Sequence, residues 1–130
     1  MRREKRSAAG IEAFRAGNID SAVHQLELAT LDDSQDFRAF AFLGAAYAEQ
    51  GRYSAAIGSF KRAADLEPGS PKVHYNLGQA YEAAGVSTEA WFEYRKALEV
   101  DPQFQPATVA LAELSARLKT MRERLRQLAA

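Results

Sequence analysis

The chain has 130 residues, the length of one domain, and it carries 17 basic and 17 acidic side chains but no cysteine. A net charge of zero provides no overall field to attract nucleic acid or an anionic membrane, and the lack of cysteine excludes disulfides, thiolate nucleophiles and thiolate metal sites. Because the sequence shows neither an apolar run long enough to span a membrane nor a secretory leader after its basic start, we expect a cytoplasmic protein without membrane insertion.

The charge is unevenly distributed along the chain. Residues 2–6 carry four basic groups and one acid, and residues 105–130 carry five basic groups and two acids, so each end has a net charge of +3. Residues 7–104 hold 8 basic and 14 acidic groups, a net charge of -6. Basic ends therefore flank an acidic middle.

Small residues recur at a fixed interval of 34 residues over most of the chain, for example from Gly10 to Gly44, and we call this interval the repeat length. Such self-similarity is typical of stacked repeats, in which each unit buries its apolar side against its neighbours. Since small residues allow close helix contact and glycine ends helices, we interpret these columns as structural and not as sites. The columns, whose members lie a repeat length apart, are Gly10, Gly44 and Gly78; Gly17, Gly51 and Gly85; Ala22, Ala56 and Ala90; and Ala29, Ala63 and Ala97.

The first two units in chain order predict helical hairpins. Residues 3–36 follow the period with weaker side chains. In residues 37–70, an apolar stripe at 40, 43, 46 and 47 predicts a helix that stops at Gly51, where a left-handed residue ends it. A second helix is predicted from about Ser54 to Leu66.

The third unit, residues 71–104, repeats this plan with clearer boundaries. Ser70 is a natural N-cap before Pro71, and Gly85 ends the first helix. Ser87 then opens a helix that stops before Pro102. Trp91, in this helix, is predicted to pack on the last helix of the chain, whereas its neighbour Phe92 is predicted to be exposed.

The second and third units resemble the tetratricopeptide repeat family, whose pattern places an aromatic residue, Leu-Gly and Tyr in the first helix, and Ala, an aromatic residue and Pro later. The resemblance implies an all-α, right-handed solenoid of three helix hairpins, 3–36, 37–70 and 71–104, closed by a long C-terminal capping helix over 105–128. The first unit keeps only its small residues. The matching residues are Phe40, Leu43, Gly44, Tyr47, Ala56, Phe60 and Pro68 in the second unit, and His74, Leu77, Gly78, Tyr81, Ala90, Tyr94 and Pro102 in the third.

The last helix is predicted to outgrow the solenoid. Its apolar residues fall at 111, 114, 118, 121, 125 and 128, the spacing of a helix buried along one narrow seam. A first helix of this repeat covers only about fourteen residues, so the end of this one should overhang. Leu111, Ala112, Leu114 and Leu118 are predicted to cap the last hairpin. The overhang would carry Met121, Leu125 and Leu128, which leads to the alternative hypothesis of a homo-oligomer assembled through these three residues.

The resemblance also implies that the first helices line a concave groove that binds a peptide or helix of a partner protein. Phe42, Tyr75 and Ile11 would form its floor, and Asn76 and Gln79 would face a peptide backbone. The alternative is that Phe42 and Tyr75 only cover one another. The predicted peptide-binding residues are Ile11, Phe14, Arg38, Phe42, Ala45, Lys72, Tyr75, Asn76 and Gln79.

Family members that bind the acidic C-terminal tails of heat-shock chaperones use a clamp of Lys, Asn, Asn, Lys and Arg. Of the corresponding residues only Lys72 fits, and starting the clamp one unit later leaves only Asn76. We therefore predict no chaperone-tail binding. The residues at the clamp positions are Ser7, Ile11, Phe42, Lys72 and Asn76.

Catalytic, cofactor and metal sites are not predicted. His24 is expected on an outer helix face and His74 in the core, neither with carboxylates at ligand spacing. The acidic residues 32, 33 and 36 lack the glycine and terminal glutamate of a calcium loop, so a solvated turn is the better interpretation. Nothing interleaves aromatic and basic residues as a nucleic-acid platform would. A non-enzymatic, protein-binding scaffold without cofactors is the leading hypothesis, and an enzyme is a weaker one.

Overall fold

The computed structural model describes residues 3–130, with side chains from Arg6 onward, and it forms α-helices over nearly all of that range. Apart from Arg6, the basic side chains predicted to give the N-terminal end its charge lie outside the described residues. The helices of the described chain are α1 (Arg3–Arg15), α2 (Ile19–Asp32), α3 (Phe37–Glu49), α4 (Tyr53–Leu66), α5 (Pro71–Ala83), α6 (Ser87–Val100) and α7 (Gln105–Ala129).

The helices pair into three consecutive hairpins that stack in chain order. The pairs α1 and α2, α3 and α4, and α5 and α6 each form one hairpin, and neighbouring hairpins pack through α2 on α3 and α4 on α5. The last helix, α7, packs on α6. The first unit therefore forms a complete hairpin although it keeps little more than the small residues of the pattern.

Within each hairpin, the first glycine column is a point of close helix contact. A Cβ atom placed on Gly44 would lie 2.7 Å from the ring of Phe60, and one placed on Gly78 would lie 2.5 Å from the ring of Tyr94. Such distances are too short for real carbon atoms, so a large side chain of the second helix occupies the volume that any other residue would need. The prediction of a packing role for this column is confirmed.

The second glycine column ends each first helix. Gly17, Gly51 and Gly85 have positive φ angles of 83°, 74° and 81°. This left-handed conformation costs glycine little because it has no Cβ, and it turns the chain into the second helix.

The loops between hairpins are closed by side-chain caps. Ser70 Oγ accepts a hydrogen bond from the backbone N–H of Val73 at 3.3 Å, as predicted. Asp36 caps α3 in the same way, accepting from Ala39 N–H at 3.0 Å. Asp33 also acts within the turn, because its Oδ1 accepts a hydrogen bond from Gln35 N–H at 2.9 Å.

Aromatic side chains fill the space between hairpins. Phe60 and Tyr94 are 3% and 1% exposed, whereas Tyr47 and Tyr81 are half-buried and each contacts two neighbouring apolar clusters. The stack is therefore held together mainly by burial of apolar surface between successive units.

The capping role of α7 is confirmed with one correction. Leu111, Leu114 and Leu118 pack beside Trp91 of α6. Ala112 is exposed instead, because within residues 3–130 no second helix covers the side of α7 on which it lies.

A buried ion pair replaces an aromatic contact in the third unit. His74 Nδ1 lies 3.3 Å from Glu93 Oε1, and its Nε2 lies 2.9 Å from the carbonyl oxygen of Pro68. The two side chains are only 10% and 7% exposed. The expectation that His74 lies in the core is confirmed. Its carboxylate partner Glu93 is distant in sequence and reaches it from the adjacent helix.

The pair shifts the pKa of both groups. The hydrogen bond that His74 donates to the Glu93 carboxylate raises the pKa of His74 above its ordinary 6.5, against the opposing effect of burial. Burial alone would raise the pKa of Glu93, but the hydrogen bond to His74 and the nearby Lys96 outweigh it and hold that pKa below the ordinary 4.5. We therefore expect both groups to be charged at pH values between the lowered pKa of Glu93 and the raised pKa of His74.

Adding a methyl group to Gly78 tests the close contact. We expect Gly78→Ala to lower the free energy of unfolding by about 1–3 kcal/mol, because Tyr94 or the backbone has to shift. The matched control is Gly58→Ala, also inside a helix but with nothing within 4 Å of the new Cβ, where we expect a gain of about 0.5–1 kcal/mol from helix propensity. Urea denaturation measures both, and equal effects would contradict the packing role.

The buried pair predicts a pH-dependent stability. His74, with a raised folded pKa, stabilises the fold below about pH 6.5, and this contribution is lost as pH rises through its folded pKa. Glu93, with a lowered pKa, contributes above about pH 4.5, and its contribution is lost as pH falls through its folded pKa. Glu93→Gln should therefore destabilise the protein more at pH 5.5 than at pH 8.5, measured by urea denaturation.

The control for this prediction is Glu99→Gln on the exposed side of the same helix. It removes the same charge without a buried partner, so its effect should change little between the two pH values. If Glu93→Gln also lowered the free energy of unfolding by the same amount at both pH values, a charged pair would be refuted.

Candidate peptide-binding groove

The first helices of the hairpins form one continuous face of the protein. Helix α1 contacts α3, and α3 contacts α5, while α7 begins a repeat length after the start of α5 and follows in the same register. We call this surface of α1, α3, α5 and the first half of α7 the first-helix face. Its side chains, contributed by separate repeats, are brought together only by the stacking.

Phe42 is the centre of an aromatic and cationic cluster on α1 and α3. Its ring meets that of Phe14 edge to face at 5.6 Å between centroids. The guanidinium carbons of Arg15 and Arg38 lie 5.6 and 5.9 Å from the Phe42 centroid. Both cations are attracted to the ring and remain at the surface, so this end of the face is apolar with a positive border.

Tyr75 anchors a separate cluster on α5. Its hydroxyl accepts a hydrogen bond from Gln79 Nε2 at 2.7 Å. Its ring lies 5.8 Å from that of Phe104 and 5.9 Å from that of Tyr94. The alternative in which Phe42 and Tyr75 only cover one another is thus wrong, because each ring has its own partners.

Two cavities open on either side of α5. A cavity of about 650 Å³ lies between α5 and α7 and is lined by Tyr75, Gln79, Val109 and Glu113 among others. A smaller one of about 210 Å³ lies between α3 and α5. Gln79 lines both, so its amide is within reach of a ligand in either cavity. The smaller cavity is lined by Ala45, Ala48, Glu49, Tyr53, Phe60, Asn76, Gln79, Ala80 and Ala83.

Glu82 forms a polar network at the edge of the larger cavity. It accepts hydrogen bonds from the Tyr94 hydroxyl at 2.7 Å and from Arg117 at 2.5 Å. Burial, followed by the hydrogen bond to Glu82, raises the pKa of Tyr94, so its hydroxyl stays a donor at physiological pH. Glu82 and Tyr94 therefore link α5, α6 and α7 through hydrogen bonds, and we assign them a structural role.

Most predicted binding residues lie on this face, in three places. One group surrounds Phe42, a second lines the smaller cavity and a third lines the larger one. Lys72, exposed in the first turn of α5, lines neither cavity. Ile11 is only 5% exposed and packs in the core, so its expected place in an accessible floor is corrected. The groups are Phe14, Arg38 and Phe42; Ala45, Asn76 and Gln79; and Tyr75 with Gln79.

Sequence reasoning missed the contribution of α7 to the larger cavity. Pro106, Val109, Ala110 and Glu113 line it, and Val109 is 52% exposed. The signal was available, because each of these residues follows a groove position of α5 at the repeat length.

The overhanging part of α7 is exposed. Met121, Leu125 and Leu128 are 57%, 60% and 84% accessible. They continue the stripe whose earlier member Leu114 is buried against α6. Their assignment to oligomerisation stays a prediction.

The described residues contain neither a metal-ligand cluster nor a membrane-spanning helix. No three histidine or acidic side chains of residues 6–130 come together in a way that could hold a metal ion. Within the same range, every helix is too short or too polar to cross a bilayer.

The fold and the repeated face define an all-helical repeat protein, and comparison with known proteins agrees. Residues 44–85 match a family model described as TPR repeat, and residues 71–104 match a model described as tetratricopeptide repeat. The chain belongs to the tetratricopeptide repeat family.

One curated relative and two solved structures illustrate the similarity. Superkiller complex protein 3 of Homo sapiens is 30% identical over 80% of this chain, which spans only 7% of that protein's length. The first TPR of Spaghetti (RPAP3) bound to HSP90 peptide SRMEEVD superposes with a TM-score of 0.85 at 22% identity, covering 90% of this chain and 93% of that one. The Yersinia enterocolitica type III secretion chaperone SycD with a peptide of the translocator YopD gives 0.80 at 20% identity, covering 92% and 93%.

Proposed function

We propose that this protein is a non-enzymatic interaction module that holds a peptide or a helical segment of another protein on its first-helix face. The observation that carries the proposal is the pair of cavities on either side of α5, joined at Gln79. An extended peptide crossing α5 would place successive side chains in the two cavities. Location in the cytoplasm and the lack of nucleic-acid binding remain predictions from composition.

The chemistry of the face suits a peptide. Exposed parts of Phe42, Tyr75 and Val109 offer apolar surface for side chains. Asn76 and the free part of the Gln79 amide offer donors and acceptors for a backbone that would otherwise lose its hydrogen bonds to water. Affinity would come mainly from the apolar surface and orientation from the two amides.

Peptide complexes of structural neighbours support the proposal in general but not in the choice of ligand. Those neighbours hold an HSP90 peptide and a translocator peptide. In this chain, the positions of a carboxylate clamp hold Ser7 and Ile11, which are 8% and 5% exposed, and Phe42, which has no charge to offer. We therefore expect a partner segment that does not end in an acidic chaperone tail.

The experiment begins with peptides selected by phage display against the wild-type protein. We expect the double change Phe42→Ala with Asn76→Ala to weaken the selected peptide about tenfold or more, because it removes both apolar contact and a backbone partner. Fluorescence anisotropy measures the affinity, and circular dichroism checks that helix content is unchanged.

Two control variants locate the binding. Leu31→Ala removes an apolar side chain that is 82% exposed on α2, and Phe92→Ala removes one that is 55% exposed on α6. Both lie outside the two cavities and should leave the affinity unchanged. If the double variant binds as tightly as wild type, or if Phe92→Ala is the change that abolishes binding, the first-helix face is not the site.

Self-assembly is the second candidate, favoured by the exposed stripe of Met121, Leu125 and Leu128. Residues 117–126 contain five basic groups and one acid, so two overhangs side by side would repel. Docking of the overhang on the acidic middle of a second copy avoids this repulsion. A short exposed helix gains stability only when such a surface covers it.

Light scattering at increasing protein concentration tests this candidate. We expect the wild type to exceed its monomer mass of 14.3 kDa, and the triple change of Met121, Leu125 and Leu128 to Ser to remain monomeric, because it removes the apolar stripe. Leu31→Ser, equally exposed elsewhere, is the matched control and should assemble as wild type does. A wild type that stays monomeric would dispose of self-assembly.

A further inference from the structure

The repeat position that holds a tyrosine in the second and third units holds a serine in α7. Tyr47 packs between the apolar cluster of α1, α2 and α3 and the cluster of α4 and α5. Tyr81, at the same position of the next unit, packs between the cluster of α4 and α5 and the cluster of α6 and α7. A further repeat length along the chain, the corresponding position of α7 is Ser115, which is exposed. The small side chain leaves unfilled the space that a tyrosine ring occupies in the two preceding units.

A cavity of about 450 Å³ lies at this position, between α6 and α7. Its apolar wall is formed by Trp91 and Phe92, whose rings meet edge to face at 5.1 Å, together with Leu118. Phe92 is 55% exposed, so the wall is open to a partner. We call the cavity and its border the α6–α7 seat; it is lined by Thr88, Trp91, Phe92, Ser115, Leu118, Lys119 and Arg122.

The seat adjoins the side of α7 where a second helix would complete another hairpin. In α5, His74 and Gly78 are buried under the second helix of the hairpin. The corresponding residues of α7, Thr108 and Ala112, are exposed, and within residues 3–130 no helix covers them. Their small size allows another helix to approach closely, as it does in the three complete hairpins. The shape of the seat therefore fits a helix.

Its charges select the kind of helix. Lys119 and Arg122 line the cavity, and the guanidinium of Arg95 lies 5.1 Å from the Trp91 ring centroid. Among the described residues that line the cavity, none carries a carboxylate. Aromatic surface bordered by cations is complementary to an apolar stripe bordered by acids.

We propose that the α6–α7 seat binds an acidic amphipathic helix of another protein. The helix lies against α7 in the place of a second hairpin helix, inserts one large apolar side chain beside Ser115, and directs carboxylates to Lys119 and Arg122. This site is separate from the first-helix face, since Val109 and Glu113 point into the other cavity from α7. The proposal therefore does not depend on the function proposed for that face.

Two other occupants fit the seat less well. A lipid surface is attracted by basic residues but is too flat to fill a cavity between two helices. A second copy of the chain would bring its own basic overhang near Lys119 and Arg122 in any pairing of the two α7 helices. An acidic helix satisfies both the shape and the charge.

Trp91 reports occupancy directly because it is the single tryptophan of the chain. The probes are two stapled helical peptides without tryptophan that share one leucine and phenylalanine stripe, one flanked by Glu and the other by Lys. We expect the Glu peptide to change the Trp91 emission and to bind about tenfold more tightly than the Lys peptide. The preference should shrink at high salt.

Charge reversal and cavity filling provide the decisive variants. Lys119→Glu with Arg122→Glu should invert the preference between the two peptides. Ser115→Tyr restores the ring found at Tyr81 and should weaken the Glu peptide about tenfold by occupying the cavity. Thr120→Tyr adds the same ring at an exposed position of α7 outside the lining and should leave binding unchanged.

Several results would overturn the proposal. They are an unchanged Trp91 emission with the Glu peptide, equal affinity for both peptides, or a Ser115→Tyr variant that binds as wild type does. A Trp91 response to vesicles of anionic lipid without one to the Glu peptide would assign the seat to a membrane. Light scattering that shows dimers abolished by Ser115→Tyr would assign it to a second copy.

Discussion

The contact between a glycine of the first helix and a large side chain of the second is the constraint on which the rest of this structure depends. Gly44 with Phe60 and Gly78 with Tyr94 show its limit, since a single added carbon would lie at 2.7 or 2.5 Å from the ring. Because the two helices of each hairpin approach closely there, the contact limits how large the facing side chains can be. Repeating the same hairpin then aligns the first helices side by side and creates a shared face.

The stacking covers side chains between neighbouring hairpins but leaves one side of α7 exposed. Between hairpins, Tyr47 and Tyr81 are each covered from two sides. At α7 the tyrosine position holds Ser115, and within residues 3–130 no second helix pairs with α7, so Ser115, Trp91 and Phe92 border an open cavity. Because a solenoid buries each unit only against its neighbours, the side of α7 that no helix of residues 3–130 covers stays exposed. The proposed α6–α7 seat is a product of this geometry.

The buried pair of His74 and Glu93 shows how one repeat can depart from the pattern without losing the fold. An aromatic ring at this position would need only apolar neighbours. A histidine needs hydrogen-bond partners, which Glu93 and the carbonyl of Pro68 supply. The carboxylate comes from the next helix, 19 residues away, and only the folded hairpin brings the two side chains together. Stability of this unit thereby becomes sensitive to pH.

The sequence by itself determined the period, the hairpins and the helix ends, because glycine, proline and capping residues act on the local backbone. It also predicted that Met121 and its apolar neighbours would be exposed beyond the solenoid. Only the tertiary structure decided which candidate residues share a surface: Phe42 pairs with Phe14 and not with Tyr75, and Ile11 is buried. Contacts between side chains of different repeats depend on how closely the helices stack, and a periodic sequence pattern does not specify that distance.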